Sequence, residues 1–211
     1  MIKAVFWDFG GVLTSSPFAT FNRYERENSL PVDFIRRVNT QNPDDNAWAK
    51  FESNRIGGDE FDGLFAEESH ALGHRVQGRD IIALLKGAIR PDMVEALKIC
   101  NRHYITACIT NNVRDHAASG SDDPDADYSA VFDLFGTVIE SSKVGIRKPD
   151  PEIYRLACDK VGVEAQDVVY LDDLGINLKP ARAMGMTTIK VGEAAPAIEE
   201  LEGVLGISLR D

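Results

Sequence analysis

The sequence predicts an α/β fold, a doubly wound parallel sheet with a small helical unit inserted after the first strand. Three observations predict it. Five short apolar runs are spaced along the 211 residues, as in strands buried on both faces of a parallel sheet. Helical patterns alternate with these runs in the second half of the chain. From Thr14 to about Ala88 the rhythm breaks, and only helical patterns appear.

The first run is Ile2 to Trp7, interrupted only by Lys3. The others are Tyr104 to Ile109, Thr137 to Ile139, Val168 to Leu171 and Thr187 to Val191. Pro91 to Arg102 opens on proline and carries Met93, Val94, Leu97 and Ile99 near one face, which predicts a helix. Pro151 to Val161 repeats the pattern with Ile153, Leu156, Ala157 and Val161. Leu178 to Met184 is a third helix, with Gly185 placed to end it. Within the insert, Phe18, Phe21 and Tyr24 share one helical face, and Phe61, Leu64 and Phe65 another. Ile81, Ile82, Leu84 and Leu85 follow. Phe18, Phe21 and Tyr24 are expected in the core of the insert rather than in a substrate pocket. Ala117 to Asp127, rich in Ser, Gly, Asp and Pro, is expected to be a solvated loop. The division is therefore residues 1–13 and 89–211 as one unit and 14–88 as the insert.

Lys and Arg number 23 against 34 Asp and Glu, a formal net charge of −11. This argues against a nucleic-acid or acidic-membrane partner, both of which reward clustered cations. A small anion needs only one local basic site and is not excluded. No apolar run is long enough for a bilayer span, and the N-terminus lacks the pattern of a signal peptide. Cys100, Cys108 and Cys158 form no C-x-x-C pair and read as reduced, buried thiols of a cytoplasmic protein. The oligomeric state stays open, a homodimer among the alternatives.

Open parallel sheets bind ligands beyond the carboxyl ends of their strands. Asp8-Phe9-Gly10-Gly11-Val12 follows the first strand and Thr110-Asn111-Asn112 the second. Lys143 to Pro149 lies beyond the third. The fourth ends in Asp172-Asp173, with Asn177 one helical turn on. Singly, such residues are turn or cap residues. Together they suit one chemistry. A carboxylate attacks a phosphoryl group, carboxylates and a backbone carbonyl hold Mg²⁺, and a lysine offsets the gathered negative charge.

The ordered series Asp8, Thr110, Lys148, Asp172-Asp173 resembles the four motifs of the haloacid dehalogenase-like hydrolase superfamily. The carrying segments are 5–13, 109–112, 139–154 and 168–186. Within the family the likeness points to the branch holding the N-terminal phosphatase domain of soluble epoxide hydrolase. The resemblance implies a Rossmann-like core with residues 14–88 as a cap, and a Mg²⁺-dependent phosphatase acting on a small phosphorylated metabolite. It implies that Asp8 is nucleophile and metal ligand, and that the Gly10 carbonyl is a second ligand. Thr110 and Asn111 would hold the phosphoryl group, and Lys148 would stabilise nucleophile and phosphate. Asp173 would ligate the metal with Asp172 behind it, or the two would exchange roles. Asn177 would orient the cluster.

One position departs from the pattern. Phosphatases of the family usually carry, two residues after the nucleophile, an Asp that protonates the leaving group, and here it is Gly10. Two other readings therefore stay open: a metal-independent dehalogenase-type hydrolase, and a catalytically weak phosphate-binding or regulatory protein. Weaker signals are read plainly. His70 and His74, four apart, are expected to be solvated rather than a metal pair. Trp7 is expected to pack behind the sheet. Arg147 is expected at the surface or at the phosphate, without a preference.

Overall fold

The computed structural model describes residues 1–112 and 128–210. The segment expected to be a solvated loop, 117–127, and His116 lie outside them.

Five parallel strands form one sheet: β1 (Ala4–Trp7), β2 (Ile105–Thr110), β3 (Thr137–Glu140), β4 (Val168–Asp172) and β5 (Thr187–Lys190). Their order is β3-β2-β1-β4-β5. The chain builds outward from β1 on one side and then returns to the other, so the crevice beside β1 is the switch point of the sheet. All four residues of β1 and all five of β4 are buried. The period of two divides them between layers. Val5 and Trp7 face one hydrophobic cluster, with Met93 and Leu97 of α6 (Pro91–Asn101) and Ile198 and Leu201 of α11 (Ala194–Leu205). Ala4 and Phe6 face the other, with Ile153 and Tyr154 of α9 (Pro151–Val161) and Leu178 of α10 (Gly175–Ala183).

All five expected strands are present within one or two residues. Helix α9 begins and ends where its periodicity placed it. Helix α10 starts three residues earlier than Leu178, and Gly185 follows it at a φ of +99°. Helix α11 was not anticipated. Pro196 and Gly203 lie within it and interrupt an apolar face made of Ala197, Ile198 and Leu201, with Ala194, Val204 and Leu205 packed beside them.

The stretch after β1 holds five helices: α1 (Pro17–Glu27), α2 (Phe34–Thr40), α3 (Ala47–Glu52), α4 (Gly58–Ala71) and α5 (Gly78–Ala83). They share a separate hydrophobic cluster that includes Phe21, Phe34, Phe51, Phe61 and Phe65, with Phe18 and Tyr24 packed against it. The stretch leaves and re-enters the sheet unit through adjacent segments. Thr14 pairs antiparallel with Ile89. Ser15 N donates to Ala88 O at 2.7 Å, and Arg90 N to Leu13 O at 2.8 Å. Among the described residues the remaining α-helices are α7 (Ser129–Phe132) and α8 (Ser141–Val144), both short. No helix among the described residues is long and apolar enough to cross a membrane.

Candidate active site

Asp8 is the residue directly after β1. Its backbone N–H donates to Leu171 O of β4 at 2.8 Å, which continues the ladder and aims the next turn across the crevice. The turn is tight: Leu13 N and Thr14 N both donate to Phe9 O, at 2.9 and 3.2 Å. Gly11 sits at a φ of +76°, where L side chains are strained, and a Cβ there would lie 2.2 Å from Asp173 Oδ2. Phe9 pins the turn from outside, stacked at 4.2 Å on Phe132 of α7.

Lys148 reaches the same point from the segment after α8. Its side chain is 1% exposed, and Nζ lies 2.8 Å from both Asp8 Oδ1 and Asp172 Oδ2. Burial opposes the charge, but Asp172 and Asp8 outweigh it and raise the Lys148 pKa above the ordinary lysine value. Asp8 Oδ1 also accepts from Phe9 N at 2.7 Å. Burial pushes the Asp8 carboxyl well above the usual range. Lys148 pulls it down, while Asp172 and Asp173 add to the rise.

The paired aspartates at the end of β4 differ in company. Asp172 is fully buried and saturated. It accepts from Lys148 Nζ, from the Tyr170 hydroxyl, from Leu174 N at 2.8 Å and from Asn177 Nδ2 at 3.1 Å. Asn177 is itself fixed, since its carbonyl accepts from the Tyr154 hydroxyl at 2.7 Å. Asp173 is half-buried and has a long bond, 3.4 Å, from the Ser16 hydroxyl. Burial first, then Asp172, pushes its carboxyl up to about 6.

Asp8, Asp172 and Asp173 offer oxygens that all lie within 4.8 Å of one another. Three carboxylates beside one lysine leave the pocket two charges negative. Such a surplus in a buried place is costly unless a cation joins it. An all-oxygen donor set of this kind suits a hard divalent ion such as Mg²⁺.

Thr110 is buried at the end of β2, the strand beside β1 in the sheet. The Asn111 side chain lies against the segment that carries Lys148. Its amide closes on the backbone of Lys148, with Nδ2 donating to Lys148 O at 3.0 Å and Oδ1 accepting from Lys148 N at 2.8 Å. Arg147 takes neither of its expected places. It pairs with Glu52 of α3, Nη2 to Oε2 at 2.6 Å, and donates from Nη1 to Pro43 O at 3.1 Å. Glu52 was missed because nothing in its own neighbourhood marks it; its partner lies 95 residues away. His70 and His74 do not share a helix face, because α4 ends at Ala71 and Gly73 turns the chain at a φ of +103°. The His74 ring packs edge-on against Phe34. Trp7 is buried in the core, as expected. All three cysteines are free and buried. Burial raises the Cys100 thiol to about 12 and the Cys158 thiol to about 11.

A family model described as haloacid dehalogenase-like hydrolase matches residues 2–185. The chain belongs to the haloacid dehalogenase-like hydrolase family. It is 32% identical, over 98% of its length, to acyl-CoA dehydrogenase family member 10 of Mus musculus, and spans 19% of that protein. It is 30% identical over 99% of its length to bifunctional epoxide hydrolase 2 of Sus scrofa, and spans 40% of that one. The chain thus covers less than half of either relative. Sesquiterpene phosphatase astK of Aspergillus oryzae is 25% identical, with 97% of both chains covered. Among solved structures, a family enzyme of Bacteroides thetaiotaomicron in complex with magnesium and inorganic phosphate superposes with a TM-score of 0.62. That match has 21% identity and covers 92% of this chain and 96% of the other. The L-2-haloacid dehalogenase of Xanthobacter autotrophicus gives 0.62 at 19% identity, covering 99% of this chain and 85% of that one. At these identities the two structures share the fold.

Proposed function

We propose that this hydrolase is a Mg²⁺-dependent phosphomonoesterase that acts on a small organic phosphate through an aspartyl-phosphate at Asp8. The observation that carries the reading is the buried Lys148, held at 2.8 Å from Asp8 and from Asp172 at the switch point of the sheet. A nucleophilic carboxylate attacking an anionic phosphoryl group needs a fixed positive charge at that place. The relative named a phosphatase and the neighbour holding magnesium and phosphate support the same choice.

Asp8, Asp173 and the Gly10 carbonyl would hold the metal, with Asp172 orienting Lys148 behind them. The saturation of Asp172 and the openness of Asp173 favour that order over its exchange. When bound, the metal supplies positive charge to the phosphoryl oxygens. A carboxylate oxygen of Asp8 forms a bond to phosphorus as the ester P–O bond breaks, and the leaving oxygen departs with its electron pair. Water then forms its own bond to phosphorus and the aspartyl O–P bond breaks, restoring Asp8 and releasing phosphate. Thr110 would hold a phosphoryl oxygen in both steps. Residues 14–88 act in this reading as a cap over the strand ends, with 1–13 and 89–211 as the core. The phosphorylated metabolite would be chosen by surfaces of the cap.

Gly10 leaves the departing oxygen without a carboxylic acid two residues from the nucleophile. Aryl and anomeric sugar phosphates, whose leaving groups are stable as anions, should therefore react faster than simple alkyl phosphates. The test is hydrolysis of a panel of aryl, sugar and alkyl phosphates with Mg²⁺ and with a chelator, using Asp8→Asn as the blank. Metal-dependent turnover that vanishes in Asp8→Asn is expected. Halide release from 2-haloacids without metal would install the dehalogenase reading instead. Phosphate binding without turnover would install the regulatory one.

A further inference from the structure

The insert meets the segment that carries Lys148 chiefly at Glu52, with Pro43 O accepting from Arg147 beside it. Helix α3 is held firmly from its own side. Asn46 caps it, with Oδ1 accepting from Ala49 N at 2.8 Å, and Glu68 accepts from Ala47 N at 2.8 Å. Phe51 stacks on Phe61 in the insert core. The last residue of α3, Glu52, then points the other way. Its side chain is 9% exposed, and Oε2 accepts from Arg147 Nε at 2.8 Å and from Asn111 Nδ2 at 3.4 Å. The Glu52 carbonyl accepts from the Ser141 hydroxyl at 2.6 Å. Ser141 in turn accepts from Asn112 N at 3.1 Å. Three groups beyond the strand ends, Asn111, Ser141 and Arg147, thus converge on the end of one short helix from a different unit, with Asn112 behind Ser141.

The connection continues to the chemistry. The Asn111 amide brackets the Lys148 backbone at both N and O, and Arg147 is the adjacent residue. We propose that Glu52 is a positioning residue for Lys148, supplied by the insert, so that the site is complete only while α3 is clamped onto the core. Glu52 does not touch the reacting atoms. It fixes Arg147 and Asn111, and these fix the segment from which Lys148 reaches Asp8. A buried carboxylate is costly to maintain and strongly destabilising to leave unpaired, so removing either partner should loosen the clamp. It also gives the insert a second anchor far in sequence from the crossing at Thr14 and Ile89.

The inference rests on the phosphatase reading for its kinetic consequence but not for the clamp itself, and two readouts separate them. The first is amide hydrogen exchange in wild type, Glu52→Gln, Glu52→Ala and Arg147→Ala. Exchange is expected to rise together in residues 43–55 and 141–150 in the Ala variants, and less in Glu52→Gln. Protection should persist in 61–71 and 168–172. A rise confined to 43–55 would overturn the clamp. The second readout is p-nitrophenyl phosphate hydrolysis. Misplacing a catalytic group from a distance costs up to about 100-fold. A fall in kcat of about 10- to 100-fold in the Ala variants is expected, with KM changed less than about threefold and partial rescue in Glu52→Gln. The Glu52→Ala, Arg147→Ala double variant should lose no more than the worse single one, because the two act as a unit. Unchanged kcat, or a loss confined to KM, would overturn the positioning role. If wild type hydrolyses no phosphate ester, the phosphatase reading fails and the exchange pattern alone decides the clamp.

Discussion

Gly10 and Gly11 are neighbours with opposite tolerances. A Cβ built on Gly10 meets nothing within 4 Å, and its φ is not in the left-handed region. The missing acid is therefore a matter of side chain, not of space. Gly10→Asp is expected to fold and to raise turnover of alkyl phosphates by about 10²-fold or more, within the ~10²–10⁴-fold that a positioned acid contributes. Aryl phosphates should gain little, since their leaving oxygens need no proton. Parallel kinetics on one alkyl and one aryl ester would check this; no gain on the alkyl ester in a folded variant would count against it. Gly11 admits no such change, because its Cβ would displace Asp173. In the sequence the two glycines look alike, and only the turn geometry separates them. Asp8, Lys148 and Asp172 were legible as a group, because their ordered combination beyond the strand ends suits one chemistry although each alone reads as a turn or cap residue. The pairings of Asn111 with the Lys148 backbone and of Glu52 with Arg147 were not legible. Each depends on a partner from a distant segment, and neither pattern nor composition records such a pairing.

The elements show the same division. The strands were readable because each is an apolar run bounded by polar residues, and α9 because proline opens it and Gly162 closes it at a φ of +72°. The insert was readable as a break in alternation, but its joints were not. They consist of backbone hydrogen bonds between segments some seventy residues apart. Gly87 sits at the joint because nothing larger fits: its Cβ would lie 2.4 Å from Ser15 O. Its carbonyl also accepts from the Tyr128 hydroxyl. Gly87→Ala must separate the two crossing segments. The expected cost is about 1–3 kcal/mol, the usual range for overpacking a tight site, read as a lowered urea midpoint. Exchange should quicken at the amides of Ser15 and Arg90. A variant as stable as wild type, with both amides still protected, would show that the crossing can move without cost.

At the scale of the molecule, charge sets how the fold answers acid. The net charge of −11 places self-repulsion at neutral pH, and it is relieved as the pH falls toward the pI of about 4.8. Local pairs act in the other direction. Lys3 and the N-terminal ammonium hold the Asp167 carboxyl below its ordinary value. The pair is backed by Lys3 N donating to Asp167 O at 2.8 Å, which ties the start of β1 to the start of β4. Asp62 is pushed up by partial burial but held lower still by Arg79. A carboxyl depressed in the folded state contributes stability that is fully present above its unfolded value, about 3.9 for Asp, and is lost as the pH drops through the lower folded value. Relief of repulsion therefore comes first on acidification, and loss of the pairs comes after. The thermal midpoint of wild type should hold or rise between pH 7 and 5, where repulsion is relieved and the raised Asp8 and Asp173 carboxyls take up protons, and fall below about pH 4. Asp167→Asn should be less stable than wild type at pH 7, and its deficit should shrink as the pH falls below the carboxylate range, where Asp167 is protonated in both folded and unfolded wild type. High salt should narrow the difference at pH 7, since Lys3 is well exposed. Thermal scans of the two proteins from pH 3 to 8 make the check, and a deficit that stayed constant over that range would assign the role of Asp167 to shape rather than to charge.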